Sequence, residues 1–168
     1  MKRNPTANRG DRWRLFVASA GWLGLAPIAP GSFGALLGVA IHLVIWSLFA
    51  SSLVRTVLVG SALLLVSWAH FAVTGWAIAY WRDKDPKNFV LDEVAGYLVV
   101  PLLHPQGSIV FVVVAGFLLF RVLDIIKLPP ARQIDRDWVG AWGILLDDIV
   151  SGVYAVVVVY GLERILVQ

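Results

Sequence analysis

The chain has 168 residues and a formal net charge of +3, and 59% of its residues are hydrophobic while 15% are charged. Soluble domains average about 45–50% apolar and about 25% charged residues. This composition, with a mean hydropathy of +0.79, excludes a disordered chain, a collagen, a coiled coil and an ordinary soluble enzyme, and the length suits one domain.

Long uncharged segments indicate a membrane protein. Residues 15–54, 56–81 and 94–120 contain no Asp, Glu, Lys or Arg. Each segment exceeds the roughly 20 apolar residues that a transmembrane helix needs. The chain has no cysteine, which excludes disulfides and thiolate metal sites.

The N-terminal residues are predicted to anchor the chain at the membrane surface. Residues 1–14 are basic and directly precede an apolar segment, which favours a cytoplasmic anchor over a nucleic-acid-binding arm. An interfacial helix is predicted over residues 12–25, and a Pro/Gly turn follows over 26–31. The segment 15–32 therefore comprises most of the interfacial helix together with the turn.

Apolar helices and polar turns alternate from residue 33 onwards. The predicted apolar segments are 33–49, 54–81, 89–103, 108–127 and 143–162. Gly31 or Ser32 is predicted to cap the first of these helices. The segment 89–103 is about 22 Å long as a helix, shorter than the ~30 Å hydrocarbon core. We therefore predict one all-α membrane domain over 1–168, in which residues 33–168 form a compact bundle of four or five transmembrane helices.

The basic residues orient this bundle. The predicted polar loops 82–88 and 128–139 carry Lys and Arg, whereas the turn at 104–107 carries neither. With the basic N-terminus inside, both basic loops lie on the cytoplasmic side, as the positive-inside rule requires. Arg55, at an outer turn, is the one mild exception.

This topology brings five carboxylates to one depth of the inner leaflet. Asp92 and Glu93 begin one predicted span, Asp124 ends the next, and Asp147 and Asp148 begin the last. A carboxylate within the membrane costs about 2.5–3.5 kcal/mol on insertion scales. Neighbouring carboxylates also repel one another unless cations lie between them. The five acids therefore need positive charge nearby.

Two interpretations of the acids remain open, and they differ in where that charge comes from. The acids pair with nearby basic side chains, namely Arg121, Lys127, Arg132 and Arg136, or they hold a metal ion or a phosphate. The adjacent acids at 92–93 and 147–148 carry more negative charge than the nearby basic side chains can neutralise, which favours a metal or phosphate site. Oxygen ligands without Cys or an adjacent His suit Mg²⁺, Mn²⁺ or Ca²⁺ rather than zinc. His70, in the second span, is interpreted as a packing histidine rather than a proton relay.

Four sequence blocks resemble those of a known family. They read APGSFG at 29–34, KDP at 84–86 followed by LDEVAG at 91–96, FRVLDIIK at 120–127 followed by two prolines, and GILLDDIVSG at 143–152. Together and in this order, they are similar to the phosphatidylglycerophosphatase A family. The resemblance implies a Mg²⁺-dependent phosphatase of the bacterial inner membrane that converts phosphatidylglycerophosphate to phosphatidylglycerol and phosphate.

The resemblance leads to a hypothesis about individual residues. The expected Mg²⁺ ligands are the five acids, Asp92, Glu93, Asp124, Asp147 and Asp148. Catalysis is assigned to Asp92, Glu93, Asp124 and Asp148, of which one uncoordinated acid acts as base. Substrate phosphate is expected to bind Arg121, Lys127 and the helix start at Gly31 and Ser32.

Two other functions remain as alternatives. A cation-coupled transporter would use intramembrane acids as an ion pathway, but its acids would be spread through the membrane depth. A structural membrane subunit would show no catalytic activity alone. Membrane lipids are the expected partners, and neither nucleic acid nor an obligate protein partner is expected.

Overall fold

The computed structural model of the protein describes residues 9–166, which contain α-helices and no β-strand. The seven α-helices are α1 (Arg9–Ala18), α2 (Pro30–Leu48), α3 (Ser52–Trp81), α4 (Leu91–Leu103), α5 (Gly116–Ile126), α6 (Ala131–Asp137) and α7 (Ala141–Leu166). A 3₁₀ turn at Leu23–Leu25 precedes α2, and a π-helical turn at Phe111–Ala115 precedes α5. Residues 1–8 of the predicted basic anchor lie outside the described residues.

Three helices, α2, α3 and α7, are long and apolar enough to cross a membrane. This confirms the prediction of an all-helical chain with membrane-spanning segments, and the count of four or five spans stays a prediction, since three helices of the described residues meet the length and hydropathy requirement. The predicted span 108–127 is divided by the π-helical turn, and α5 proper has 11 residues. Large apolar side chains are exposed along α3, including Leu64 and Trp68, as expected for a surface that contacts lipid.

The short apolar segment is the central helix of the bundle. Ten of the 13 residues of α4 are buried, against α2, α3, α7 and α5. At 1.5 Å per residue, α4 is about 20 Å long, too short to span the hydrocarbon core. Neighbouring helices shield it, so its length is not set by the membrane.

The N-terminal helix ends earlier than predicted. α1 stops at Ala18 rather than continuing to residue 25. The Ser19 hydroxyl donates to the Leu15 carbonyl at 2.6 Å and accepts from the Trp22 N–H at 3.1 Å, which turns the chain out of the helix. Ala20, Gly21 and Trp22 then have positive φ. α1 itself packs against α3, where Trp76 Nε1 donates to Asp11 at 3.1 Å.

The cap of α2 also differs from the prediction. The N-cap is Ala29, and Pro30 occupies the first helical turn, where its missing N–H and fixed φ are tolerated. The N–H groups of Ser32 and Phe33 both donate to the Ala29 carbonyl, at 2.9 and 3.4 Å. Gly31 and Ser32 therefore lie inside the first turn instead of capping it.

A short helix, α6, lies within the predicted polar loop 128–139. With seven mostly polar residues, it has no apolar periodicity that would reveal it in the sequence. Its one fully buried side chain belongs to Ala131, and Asp135 faces Lys127 at the end of α5.

Glycines allow α4 and α7 to approach closely. A Cβ at Gly152 would overlap the Gly96 carbonyl oxygen, and one at Gly96 would lie 2.6 Å from the Phe120 ring and 2.9 Å from the Asp148 carbonyl. The backbone of α7 at Asp148 is thereby held against α4.

Gly152→Ala is expected to destabilise the protein by about 1–3 kcal/mol, because the added methyl group must push α4 and α7 apart. In a thermal unfolding experiment in detergent, this corresponds to a Tm lower by roughly 3–10 °C. Gly161→Ala is the matched control, because Gly161 lies on the same helix and a Cβ there would meet no atom within 4 Å. Equal Tm values for the two variants would contradict the close packing.

Candidate active site

One cavity at an end of the bundle contains all five predicted acids. Its volume is about 490 Å³. Its walls come from the start of α2, the loop before α4, the start of α4, the end of α5 and the second turn of α7. The charged lining residues are Asp85, Lys87, Asp92, Glu93, Arg121, Asp124, Lys127, Asp147 and Asp148. Segments far apart in the chain therefore converge, as the topology predicted.

Helical spacing explains how each element contributes side chains. Asp92 and Glu93 lie in the first turn of α4, where a negative charge is favoured by the helix dipole. Arg121 and Asp124 are three residues apart on α5 and form an ion pair at 2.8 Å. Lys127 ends α5 with a left-handed backbone conformation, after which the chain leads into α6, which packs against α7.

The acids form two groups that share one member. Asp92, Glu93 and Asp148 each offer an oxygen within 4.8 Å of the others, and so do Asp124, Asp147 and Asp148. Asp148 thus joins a group based on α4 to one based on α5 and α7. Three carboxylate oxygens at this spacing form an oxygen-only ligand set of the kind preferred by hard divalent cations.

Ion pairing accounts for only part of the acidic charge. Arg121 pairs with Asp124 and lies 3.9 Å from Glu93, while Lys127 contacts Asp147 at 2.6 Å. Within residues 9–166, neither Asp92 nor Asp148 forms an ion pair. Both are nevertheless buried, with 6% and 4% of their surfaces exposed.

The remaining basic residues of the pure ion-pairing interpretation do not reach the cavity. Arg136 pairs with the neighbouring Asp137 in solvent. Arg132 is exposed and does not line the cavity. Local basic side chains therefore leave two buried acids without a counter-charge.

Unpartnered oxygens test whether these acids fit a metal ion. Within the part of the chain that the structure describes, buried carboxylate oxygens without a hydrogen-bond partner occur on Asp92 (Oδ1), Glu93 (Oε2), Asp147 (Oδ1) and Asp148 (Oδ2). A buried charge without a partner is costly, and a coordinated cation would satisfy these oxygens. The donor set therefore fits a hard divalent ion.

Of the four predicted phosphate-binding residues, three line the cavity. These are Gly31, Arg121 and Lys127, whereas Ser32 is not part of the lining. Gly31 lies against the acids: a Cβ there would overlap the Glu93 carboxylate and lie 2.9 Å from Arg121 Nη2. The backbone of α2 can approach the site only because this residue has no side chain.

Two further acids near the site were not assigned a role from the sequence. Asp85 lines the cavity from the loop before α4, within the KDP block. Asp135, on α6, lies 2.8 Å from Lys127 Nζ. Asp85 could have been found from the sequence, because it belongs to the KDP block. Asp135 could not, because it reaches Lys127 only through the fold of α6.

Lys127 connects α6 to the cavity through two ion pairs. Its ammonium group contacts Asp135 and Asp147, at 2.8 and 2.6 Å. Lys127 therefore already provides the counter-charge of Asp147 before any ligand binds.

Lys127→Ala is expected to destabilise the protein by about 3 kcal/mol, because it leaves the buried Asp147 without its cation. The measurement is the Tm in detergent. The double variant Lys127→Ala/Asp147→Asn removes both charges and is expected to recover most of the lost stability. A double variant as unstable as Lys127→Ala would show that the ion pair does not carry the effect.

His70 packs against two segments that border the cavity. It is fully buried on α3, its Nε2 lies 2.9 Å from the Ala141 carbonyl oxygen, and its ring packs on Phe89 with centroids 4.8 Å apart. Ala141 begins α7, and Phe89 lines the cavity just before α4. This geometry supports the interpretation of His70 as a packing residue.

Comparison with known proteins identifies a family that matches most of the chain. The sequence model described as Phosphatidylglycerophosphatase A matches residues 16–163. Among curated proteins, the chain is 31% identical to phosphatidylglycerophosphatase A of Haemophilus influenzae, over 83% of this chain and 82% of the relative. It is 30% identical to phosphatidylglycerophosphatase A of Escherichia coli, over 88% of this chain and 81% of the relative.

A third relative carries a different substrate in its name. It is a Bacteroides thetaiotaomicron protein, provisionally named a phosphatidylinositol-3-phosphatase, which is 33% identical over 81% of this chain and 84% of its own length. No solved structure matches the chain. All three names describe enzymes that remove a phosphate group from a phospholipid headgroup.

Proposed function

Because the chain belongs to the phosphatidylglycerophosphatase A family and is therefore a phosphoric monoester hydrolase, we propose that it hydrolyses the terminal phosphomonoester of phosphatidylglycerophosphate. The products are phosphatidylglycerol and inorganic phosphate. The reaction depends on Mg²⁺ and takes place at the cytoplasmic face of a bacterial inner membrane.

The observation that carries this proposal is the combination of buried unpartnered carboxylates with the cationic side chains of Arg121 and Lys127 in one cavity. Among the described side chains, Asp92 and Asp148 have no ion-pair partner, while Arg121 and Lys127 line the same space. A dianionic phosphomonoester alone would be repelled by this many acids. The arrangement fits a phosphate that binds together with a divalent ion.

Asp92, Glu93 and Asp148 would hold the ion on the α4 side, and Asp124 and Asp147 would complete the ligand set with Asp148. When bound, Mg²⁺ supplies charge neutralisation of the phosphate and a lowered pKa for a coordinated water. The donors are oxygens only and the chain contains no cysteine, which suits a hard divalent cation. Mg²⁺ is the member of that class that the family resemblance implies.

The other groups that line the cavity bind the phosphate and accept a proton. Arg121 and Lys127 hold phosphoryl oxygens, with Arg121 offering the planar donor geometry that suits phosphate. The first turn of α2 at Gly31 presents backbone N–H groups and the positive end of the helix dipole. An acid not engaged with the ion accepts the proton of the attacking water.

The distribution of basic residues supports a cytoplasmic site. The loops on either side of the cavity, 82–88 and 128–139, contain Arg82, Lys84, Lys87, Arg132 and Arg136. Cytoplasmic loops carry such an excess of Lys and Arg. At this depth the phosphate of an inner-leaflet lipid reaches the acids while its acyl chains stay in the membrane.

The transporter alternative is not supported by the positions of the acids. The five carboxylates share one cavity at one end of the bundle, whereas an ion pathway needs polar groups through the membrane depth. The family comparison likewise indicates a hydrolase.

The proposal is tested by phosphate release from phosphatidylglycerophosphate in vesicles by the purified protein. We expect release with Mg²⁺, none with EDTA, and recovery when Mg²⁺ is restored in excess. Phosphatidylinositol-3-phosphate and phosphatidic acid serve as comparison lipids, and we expect slower release from both. Activity that persists in EDTA would refute the metal dependence, and faster release from either comparison lipid would refute the substrate assignment.

A further inference from the structure

One residue that lines the acidic cavity is also exposed on the outside of the bundle. Ile125 lines the cavity on α5, yet 72% of its surface is exposed. Ala29 and Pro30 line the cavity at the start of α2, and Ile28 just before them is 78% exposed. Exposed apolar side chains therefore lie at two edges of the cavity, one on α5 and one just before α2.

The edge at Ile125 continues into an apolar stripe along α5. Leu118, Val122 and Ile125 are exposed and lie three or four residues apart, which places them on one face of the helix. Arg121 lies next to this face, with its guanidinium turned to Asp124 and toward Glu93. The surface of α5 thus changes from lipid-facing to phosphate-binding within one helical turn.

The volume of the cavity limits what can occupy it. About 490 Å³ lies in the lower part of the range for small-molecule sites, roughly 300–1,000 Å³. A polar headgroup fits this space, whereas the two acyl chains of a phospholipid must remain outside. A lateral entrance would let the chains stay in hydrocarbon, so that they are never transferred to water.

A second apolar groove lies nearby but is closed off from the acids. It is lined by Trp138, Val139, Trp142 and Leu146. The void between this groove and the cavity, which touches Asp85 and Ile144, has a volume of about 20 Å³. This is room for about one water molecule, so a headgroup cannot pass through it.

We propose that the phospholipid substrate enters the acidic cavity sideways from the membrane, between the start of α2 and the end of α5. Its headgroup passes Ile125, and its acyl chains remain against the exposed face of α5. This inference rests on the proposed lipid phosphatase function, and it assigns Ile125 and Ile28 as the entrance.

The absence of cysteine permits a direct test with single-cysteine variants. Ile125→Cys is labelled with a benzophenone maleimide and reconstituted with Mg²⁺ in phosphatidylcholine vesicles that contain a minor fraction of a non-hydrolysable phosphonate analogue of phosphatidylglycerophosphate, and the vesicles are irradiated. We expect crosslinks at residue 125 to be enriched several-fold in the phosphonate lipid relative to its fraction in the vesicle. Leu64→Cys, on α3 and 73% exposed, is the matched control and should crosslink the two lipids in proportion to their abundance.

A third probe, Val139→Cys, reports on the second groove. Enrichment at 139 but not at 125, or equal proportions at 125 and 64, would overturn the lateral entrance. Phosphate release from phosphatidylglycerophosphate by the wild-type protein is measured in parallel, with Mg²⁺. If the wild type hydrolyses the lipid but position 125 shows no enrichment, only the entrance is refuted; if the wild type releases no phosphate from the lipid, the proposed function is refuted.

Discussion

Asp148→Asn is expected to lower phosphate release from phosphatidylglycerophosphate by at least about a hundredfold. Asp148 is the one acid that belongs to both candidate ligand groups among the described residues, so its loss leaves each group with two carboxylates. A metal ion contributes several kcal/mol of transition-state charge stabilisation, and each 1.36 kcal/mol changes the rate tenfold. The amide keeps the shape of the carboxylate, so the fold should persist.

The measurement combines rate and metal binding. Phosphate release is followed in vesicles, and Mn²⁺ binding is followed by electron paramagnetic resonance as a spectroscopic substitute for Mg²⁺. Asp137→Asn is the matched control, because Asp137 is exposed and pairs only with Arg136 among the contacts of the described chain. An Asp148→Asn protein that binds Mn²⁺ and turns over as the wild type does would remove Asp148 from the site.

Gly31→Ala is expected to lower the rate by about a hundredfold with a small change in Tm. The added methyl group would overlap the Glu93 carboxylate and approach Arg121, so both side chains must shift. A displacement of about 1 Å at a catalytic group can cost on the order of a hundredfold in rate. The helix itself should tolerate alanine, which has a higher helix propensity than glycine.

Gly75→Ala provides the comparison for this variant. Gly75 lies within α3, and a Cβ there would meet no atom within 4 Å. We expect that substitution to leave activity unchanged and to raise stability slightly, by up to about 1 kcal/mol. If Gly31→Ala and Gly75→Ala have the same activity, the close approach of α2 to Glu93 is not needed for function.

Much of the site could be predicted because a membrane restricts where charge can lie. The lengths of the apolar segments and the positions of the basic loops place Asp92, Glu93, Asp124, Asp147 and Asp148 at one depth. The structure brings all five to one cavity. The resemblance to a family, carried by four blocks of sequence, is confirmed by the match over residues 16–163.

Other features depended on contacts that no local pattern reveals. The α6 helix and the ion pair of Asp135 with Lys127 arise from seven mostly polar residues whose structure is stabilised by their neighbours. The α2 helix begins at Pro30, with Ala29 as its N-cap, rather than at the predicted cap residues Gly31 or Ser32.

The sequence by itself determined the class of protein, the convergence of the acids at one end of the bundle and the family, because hydrocarbon excludes charge and so makes apolar length and charge placement informative. Only the tertiary structure decided which acids are paired with cations and which are left without one. That distinction depends on distances of a few ångströms between helices far apart in the chain, which are set by side-chain packing around α4. The same packing leaves Ile125 exposed at the edge of the cavity.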